Sequence, residues 1–201
     1  MMDSISLAHS SDTSSAKCAA KCLVAAIVIA VVGTAGSVYL SMGLGLKACP
    51  LCFYQRSFVM AVLAVLALGR FVERSRPGLI CLLCVPLAWA GLGVAAFHEY
   101  LVLTGVLECP PALFGIGTAP AQSLVVFSVL AVAVTGGAWC GRQESPRQRV
   151  CTLIVAVLLG AVMEGACVKS APPLPPVPAA AYDPVKQPLD TCRRPFNAPK
   201  N

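Results

Sequence analysis

Between Lys21 and Lys47 the chain runs from Cys22 to Leu46 without a charge, and comparable apolar runs recur near 51–69, 78–104, 121–140 and 150–168. Backbone polar groups in hydrocarbon must be satisfied within the spanning structure itself, which admits only helices or closed barrels. Strand-like alternation is absent from all five runs, so each reads as a transmembrane helix. A chain that is 57% hydrophobic and 12% charged, with mean hydropathy +0.78, is a polytopic membrane protein rather than a soluble domain.

The net charge of +6 does not mark a nucleic-acid binder, because the basic residues sit at the ends of apolar segments. Lys17, Lys21, Arg70, Arg74, Arg76, Arg142, Arg147 and Arg149 fall on one side of the membrane, against Lys47, Lys169 and the few basic residues of the tail on the other. The excess of Lys and Arg marks the cytoplasmic side. The expected organisation is therefore a cytoplasmic segment 1–21, a five-helix membrane domain 22–168 and an exported C-terminal tail 169–201. The first apolar run is too long for a typical signal-peptide core and has no convincing cleavage site, so it reads as a retained helix. The tail opens with a proline-rich run, Ala171 to Pro178, which favours an extended arm over a folded domain.

The chemistry concentrates in Cys49-Pro50-Leu51-Cys52-Phe53-Tyr54-Gln55-Arg56. Ser57 to Gly69 supplies only about 20 Å of helix at ~1.5 Å per residue, short of a hydrocarbon core of about 30 Å, so the helix has to start near Leu51. Arg56 then lies inside the membrane boundary, where an ionised group is expensive and marks a functional site. The cysteine pair sits at a helix N-terminus, with unpaired backbone N–H groups and the cationic Arg56 close by, conditions that favour a thiolate ready for exchange.

The remaining cysteines sort by side. Cys18, Cys22, Cys140 and Cys151 lie near the cytoplasmic boundary and read as small packing residues. Cys81-x-x-Cys84 has no neighbouring charge to stabilise a thiolate and reads as structural. Cys49, Cys52, Cys109 and Cys192 lie on the exported side, with Cys167 near its boundary.

This motif, opening a second transmembrane helix, resembles the DsbB family of membrane thiol:quinone oxidoreductases, and the resemblance extends from about Ala26 to Cys140. It implies an all-α membrane protein, a four-helix transmembrane bundle here carrying a fifth helix, in the bacterial inner membrane. The implied activity takes electrons from a periplasmic thioredoxin-fold oxidase of the DsbA type and passes them to a membrane quinone, ubiquinone or menaquinone. On this resemblance Cys52 contacts the quinone, Cys49 is its disulfide partner, and Arg56 lies beside the quinone head. Gln55 stands where some members carry an acid, and His98-Glu99 is similar to a His-Glu neighbourhood close to the quinone. The family carries a second cysteine pair in its second exported loop, whereas Val106 to Gln122 holds only Cys109. Topology brings Cys192 to the same compartment as partner, with Cys167 as the competitor. No motif for a metal, flavin or nucleotide is present. Two other readings use the same residues: a reductant conduit with Cys81 and Cys84 as inner relay, and a soft-metal transporter using the cysteine pairs.

Overall fold

The computed structural model describes residues 2–141, 145–174, 176–178, 180–183 and 185–196, with the side chains of 2–13 excepted. Arg142 and Pro175, named above, lie outside the described residues, as do residue 1 and residues 197–201. Five helices account for most of the chain: α1 (Met2–Met42), α2 (Pro50–Val72), α3 (Pro77–Leu103), α4 (Ala119–Cys140) and α5 (Pro146–Ser170). All five are long and apolar enough to cross a membrane, the first over Ser14–Met42. Each of α2, α3, α4 and α5 opens with a proline at its first or second position, where the missing N–H costs nothing. Thr118 and Ser145 cap α4 and α5 by accepting from Ala121 N and Gln148 N.

The α1 helix differs from the expected boundary. It begins well before the apolar run and carries the polar N-terminal residues as a continuous extension. The end of α2, the start of α3, the end of α4 and the start of α5 lie at one end of the bundle, beside the stretch of α1 around Cys18. Arg70, Arg74, Arg76, Arg147 and Arg149 lie at that end.

The most buried helix is α3, which packs against the other four. Trp89 donates from Nε1 to Thr135 Oγ1 at 3.2 Å, joining α3 to α4. The fifth helix lies chiefly on α3, and Gly160 permits the approach: a side-chain carbon there would stand 2.8 Å from the Pro86 carbonyl oxygen. The outer face of α5 leaves Ile154, Val155, Leu158, Leu159 and Val162 exposed, as a lipid-facing surface requires.

The tail is not a free arm. Glu108 and Arg193 pair in an antiparallel bridge, with N–H to carbonyl distances of 2.8 and 3.0 Å in the two directions. Arg193 also forms an ion pair with Glu108 at 2.6 Å, donates to the Gln187 carbonyl and covers the Tyr182 ring at 3.6 Å. Lys47 fastens a second point, donating its backbone N–H to the Asp190 carbonyl and pairing with the Asp190 carboxylate, both at 2.8 Å. Proline content alone favours an extended arm; the charges interspersed beyond Pro178 tie it down.

Candidate redox centre

Cys49 is the N-cap of α2, its sulfur accepting the Cys52 N–H at 3.2 Å, and Pro50 starts the helix. This cap brings the two sulfurs of the motif to 3.0 Å as a dithiol. Cys49 is buried, whereas Cys52 is half-exposed toward a cavity. Just outside the span, the hydrogen bond shared with Cys52 and the nearby His98 hold the Cys49 thiol well below its usual range.

A second pair lies directly over the first. Cys109, in the loop between α3 and α4, is joined by a disulfide to Cys192 of the tail. Cys167 is a free thiol near the end of α5. One sulfur each from Cys49, Cys52 and Cys192, together with a ring nitrogen of His98, all lie within 4.8 Å of one another. Direct thiol–disulfide exchange between the pairs needs no large movement at that separation. The same four groups are also a set of soft ligands of the kind that binds a thiophilic metal ion when the cysteines are reduced.

His98 is fully buried on α3 and touches both pairs: Nε2 is 3.5 Å from Cys109 Sγ and 3.8 Å from Cys49 Sγ. Its Nδ1 faces Gln55 Nε2 at 3.3 Å. Gln55 gives His98 a hydrogen-bonding neighbour that carries no charge.

Arg56 reaches from α2 to α1. Its Nε donates to Ser37 Oγ at 2.8 Å, and its Nη2 donates to the Ser37 carbonyl at 2.9 Å and to Ser41 Oγ at 2.6 Å. Ser37 and Ser41 are one turn apart on the same helix face, a spacing the sequence displays but that has no meaning until Arg56 is placed beside it.

Beneath Cys52 and Arg56 lies a cavity of about 520 Å³ between the outer parts of α1, α2 and α4. Val32, Leu40, Val59, Val125 and Val126 give it apolar walls, with Gln55, Gln122 and Cys192 among its few polar or reactive groups. A flat, amphipathic head group with an apolar chain fits this lining. His98 is not among the lining residues; it stands behind the sulfurs.

A family model described as Disulfide bond formation protein DsbB matches residues 18–168, which takes in all of α2, α3 and α4, α1 from Cys18 onward and nearly all of α5. The chain belongs to the DsbB family. Its Cys109–Cys192 pair draws the second cysteine from beyond the region that the family model covers. Among curated DsbB-like relatives, a probable disulfide formation protein of Chlamydia trachomatis serovar D is 30% identical over 110 residues, 50% of this chain and 79% of that protein. A probable disulfide formation protein of Chlamydia muridarum is 28% identical over the same shares. No solved structure matches the chain. Membership in this family and five membrane-crossing helices make the chain a multi-pass membrane protein of disulfide formation.

Proposed function

We propose that this protein reoxidises an exported thioredoxin-fold dithiol protein of the DsbA type and delivers the electrons to a membrane quinone. The observation that carries the reading is the contact between the two cysteine pairs, with Cys52 of the inner pair on the wall of an apolar cavity. The distribution of arginines supports a cytoplasmic N-terminus and an exported site in the bacterial inner membrane.

Cys192 is the more exposed member of the outer disulfide, Cys109 being buried, so the partner's thiolate attacks Cys192 and Cys109 leaves as thiolate. The partner's second thiol resolves the mixed disulfide, releasing oxidised partner and leaving Cys109 and Cys192 reduced. Cys192 then attacks Cys49 of the inner disulfide and expels Cys52, and Cys109 attacks Cys192 to restore the outer disulfide and release Cys49. His98 stands where it takes the proton of one pair and returns it to the other.

Arg56, Gln55 and Cys52 are the residues that would hold a quinone head, with the valine and leucine walls around its chain. When bound there, a quinone supplies the acceptor for two electrons and two protons from the Cys49/Cys52 dithiol. Arg56, fixed by Ser37 and Ser41, places positive charge where negative charge develops.

The test is turnover of a reduced thioredoxin-fold dithiol by purified protein with and without a soluble quinone. Quinone-dependent oxidation supports the reading. Oxidation at the same rate without quinone defeats it. The conduit alternative requires a sulfur relay through the bundle, yet α3 has no cysteine between Cys84 and His98, a gap of about 21 Å at ~1.5 Å per residue. The soft-metal alternative predicts tight metal binding by reduced protein with no effect of quinone on it.

A further inference from the structure

A second group of sulfurs, unused by the proposed reaction, sits at the opposite end of the bundle. Cys18 of α1 and Cys140, the last residue of α4, are joined in a disulfide with Cα atoms 6.0 Å apart, within the usual bridging range. The expectation that both are inert packing residues fails, because α1 extends past its apolar run and carries Cys18 alongside the end of α4. Both are half-exposed.

The neighbourhood is built for close approach. A side-chain carbon at Gly137, one turn before Cys140, would stand 3.0 Å from Cys22 Cβ and 2.5 Å from Cys81 Sγ. One at Gly141 would stand 2.5 Å from Gly78 Cα and 3.0 Å from Ala19 Cβ. The start of α3 and the end of α4 therefore meet the body of α1 around the disulfide, and the Ser15 hydroxyl donates to the Cys140 carbonyl beside it. Cys22 and Cys81 bring two further thiols to the same layer.

We propose that Cys18–Cys140 is a second thiol–disulfide exchange site, served by low-molecular-weight thiols of the glutathione class on the arginine-rich side, and that it is a reversible clasp between α1 and α4. The proposal goes beyond the outer reaction and rests on that reading only for the identity of the compartment. In a reducing compartment a disulfide is characteristically transient, catalytic or redox-sensing rather than a permanent brace. The distance from Cys84 to His98 denies it a direct role in the outer exchange, so its effect is on the helices it joins. In the opening step a monothiol's thiolate attacks one sulfur of the pair and the other leaves as thiolate, giving a mixed disulfide. A second monothiol resolves it, so the protein gains two electrons and two protons while the small thiol becomes its disulfide. Closure runs the same steps backward with the small disulfide as oxidant.

The experiment uses full-length protein in sealed vesicles of each orientation, exposed to impermeant glutathione buffers of stepped ratio, then alkylated and mapped by peptide mass. Hydrogen exchange is read over residues 14–22. Expected is a Cys18–Cys140 peptide pair that opens and closes reversibly with the buffer on the arginine-rich face. Exchange over 14–22 should be faster by roughly ten-fold or more when the pair is open, and Cys18→Ser should hold it fast at every ratio. Full alkylation of Cys18 and Cys140 at every ratio, response only to buffer on the other face, or hydrogen exchange indifferent to the state of the pair would each overturn the proposal. Neither readout requires quinone turnover, so loss of the proposed outer activity and failure of the clasp are seen separately.

Discussion

The imidazole of His98 is shared between two cysteine pairs: Nε2 lies 3.5 Å from Cys109 Sγ and 3.8 Å from Cys49 Sγ, with no exposure to solvent. One buried imidazole thus stands within reach of both halves of the proposed exchange. Replacing it separates proton handling from quinone binding. His98→Ala should slow electron transfer from the outer to the inner pair by roughly 10²-fold, the usual scale for a positioned acid–base group. Stopped-flow oxidation of the prereduced Cys49/Cys52 pair by quinone should slow much less. Equal losses in the two measurements would move His98 to the quinone side of the reaction.

The same nitrogen and the hydrogen bond with Cys52 lower the Cys49 thiol, so the Cys49 sulfur of the reduced protein should remain a thiolate through neutral pH. Ultraviolet thiolate absorbance of a variant keeping only the inner pair should stay level on acidification past the ordinary thiol range near pH 8.5. In His98→Ala and in Cys52→Ser the transition should move up. A transition at the ordinary value in the parent would contradict the geometry.

Arg56 is held by α1 through Ser37 and Ser41 while lining the cavity. Arg56→Met should raise the apparent KM for a soluble quinone about ten-fold or more, equivalent to about 1.4 kcal/mol, with the helical content unchanged. Ser37→Ala should do so to a smaller extent, by loosening the guanidinium. An unchanged KM in folded Arg56→Met would remove Arg56 from the site.

The Lys47 ammonium beside Asp190 holds that carboxyl below its usual value. A carboxylate whose folded pKa is depressed contributes to docking above its ordinary value near pH 3.9, and the contribution disappears as pH falls through the depressed one. The protection of residues 185–196 against hydrogen exchange, taken relative to the intrinsic rate at each pH, should therefore be level from neutral pH down to the ordinary carboxylate range and fall more strongly below it than in Asp190→Asn. Because the pair is exposed, salt should produce part of the same loosening at neutral pH. A tail equally protected with and without Asp190 at all pH values would show that the Glu108–Arg193 bridge suffices.

Cys192→Ala should abolish rapid oxidation of the protein partner while leaving Cys49 and Cys52 reducible by small thiols and reoxidisable by quinone. Peptide mapping would show whether Cys109 then remains free or turns to Cys167. Full activity toward the partner in this variant would assign the outer pair elsewhere.

The spans and the inner cysteine pair were legible because uncharged length and a helix-opening Cys-Pro-Leu-Cys are local properties of the chain. Arg56 was legible as a buried charge, by counting back along the helix. Its serines were not, since Ser37 and Ser41 acquire a role only when α1 and α2 are side by side. His98 was readable only as a candidate beside the cofactor, whereas its position behind the sulfurs depends on the path of α3 relative to the loop carrying Cys109. The Cys18–Cys140 disulfide escaped because it depends on helical continuation through a polar, serine-rich segment that hydropathy excludes from the first span. The docked tail escaped because Lys47, Glu108, Asp190 and Arg193 are distant in sequence and each reads alone as a surface charge.

The two disulfides interleave along the chain, Cys18 with Cys140 and Cys109 with Cys192: Cys18 lies within α1, Cys109 follows α3, Cys140 ends α4 and Cys192 follows α5. On the proposed function, the Cys49/Cys52 pair is in place after two helices, and a protein partner reaches it only once the tail has brought Cys192 over it. A chain without the tail would then hold an inner pair cut off from that partner, and the protein would become a catalyst of the partner's oxidation only on completion of its own topology.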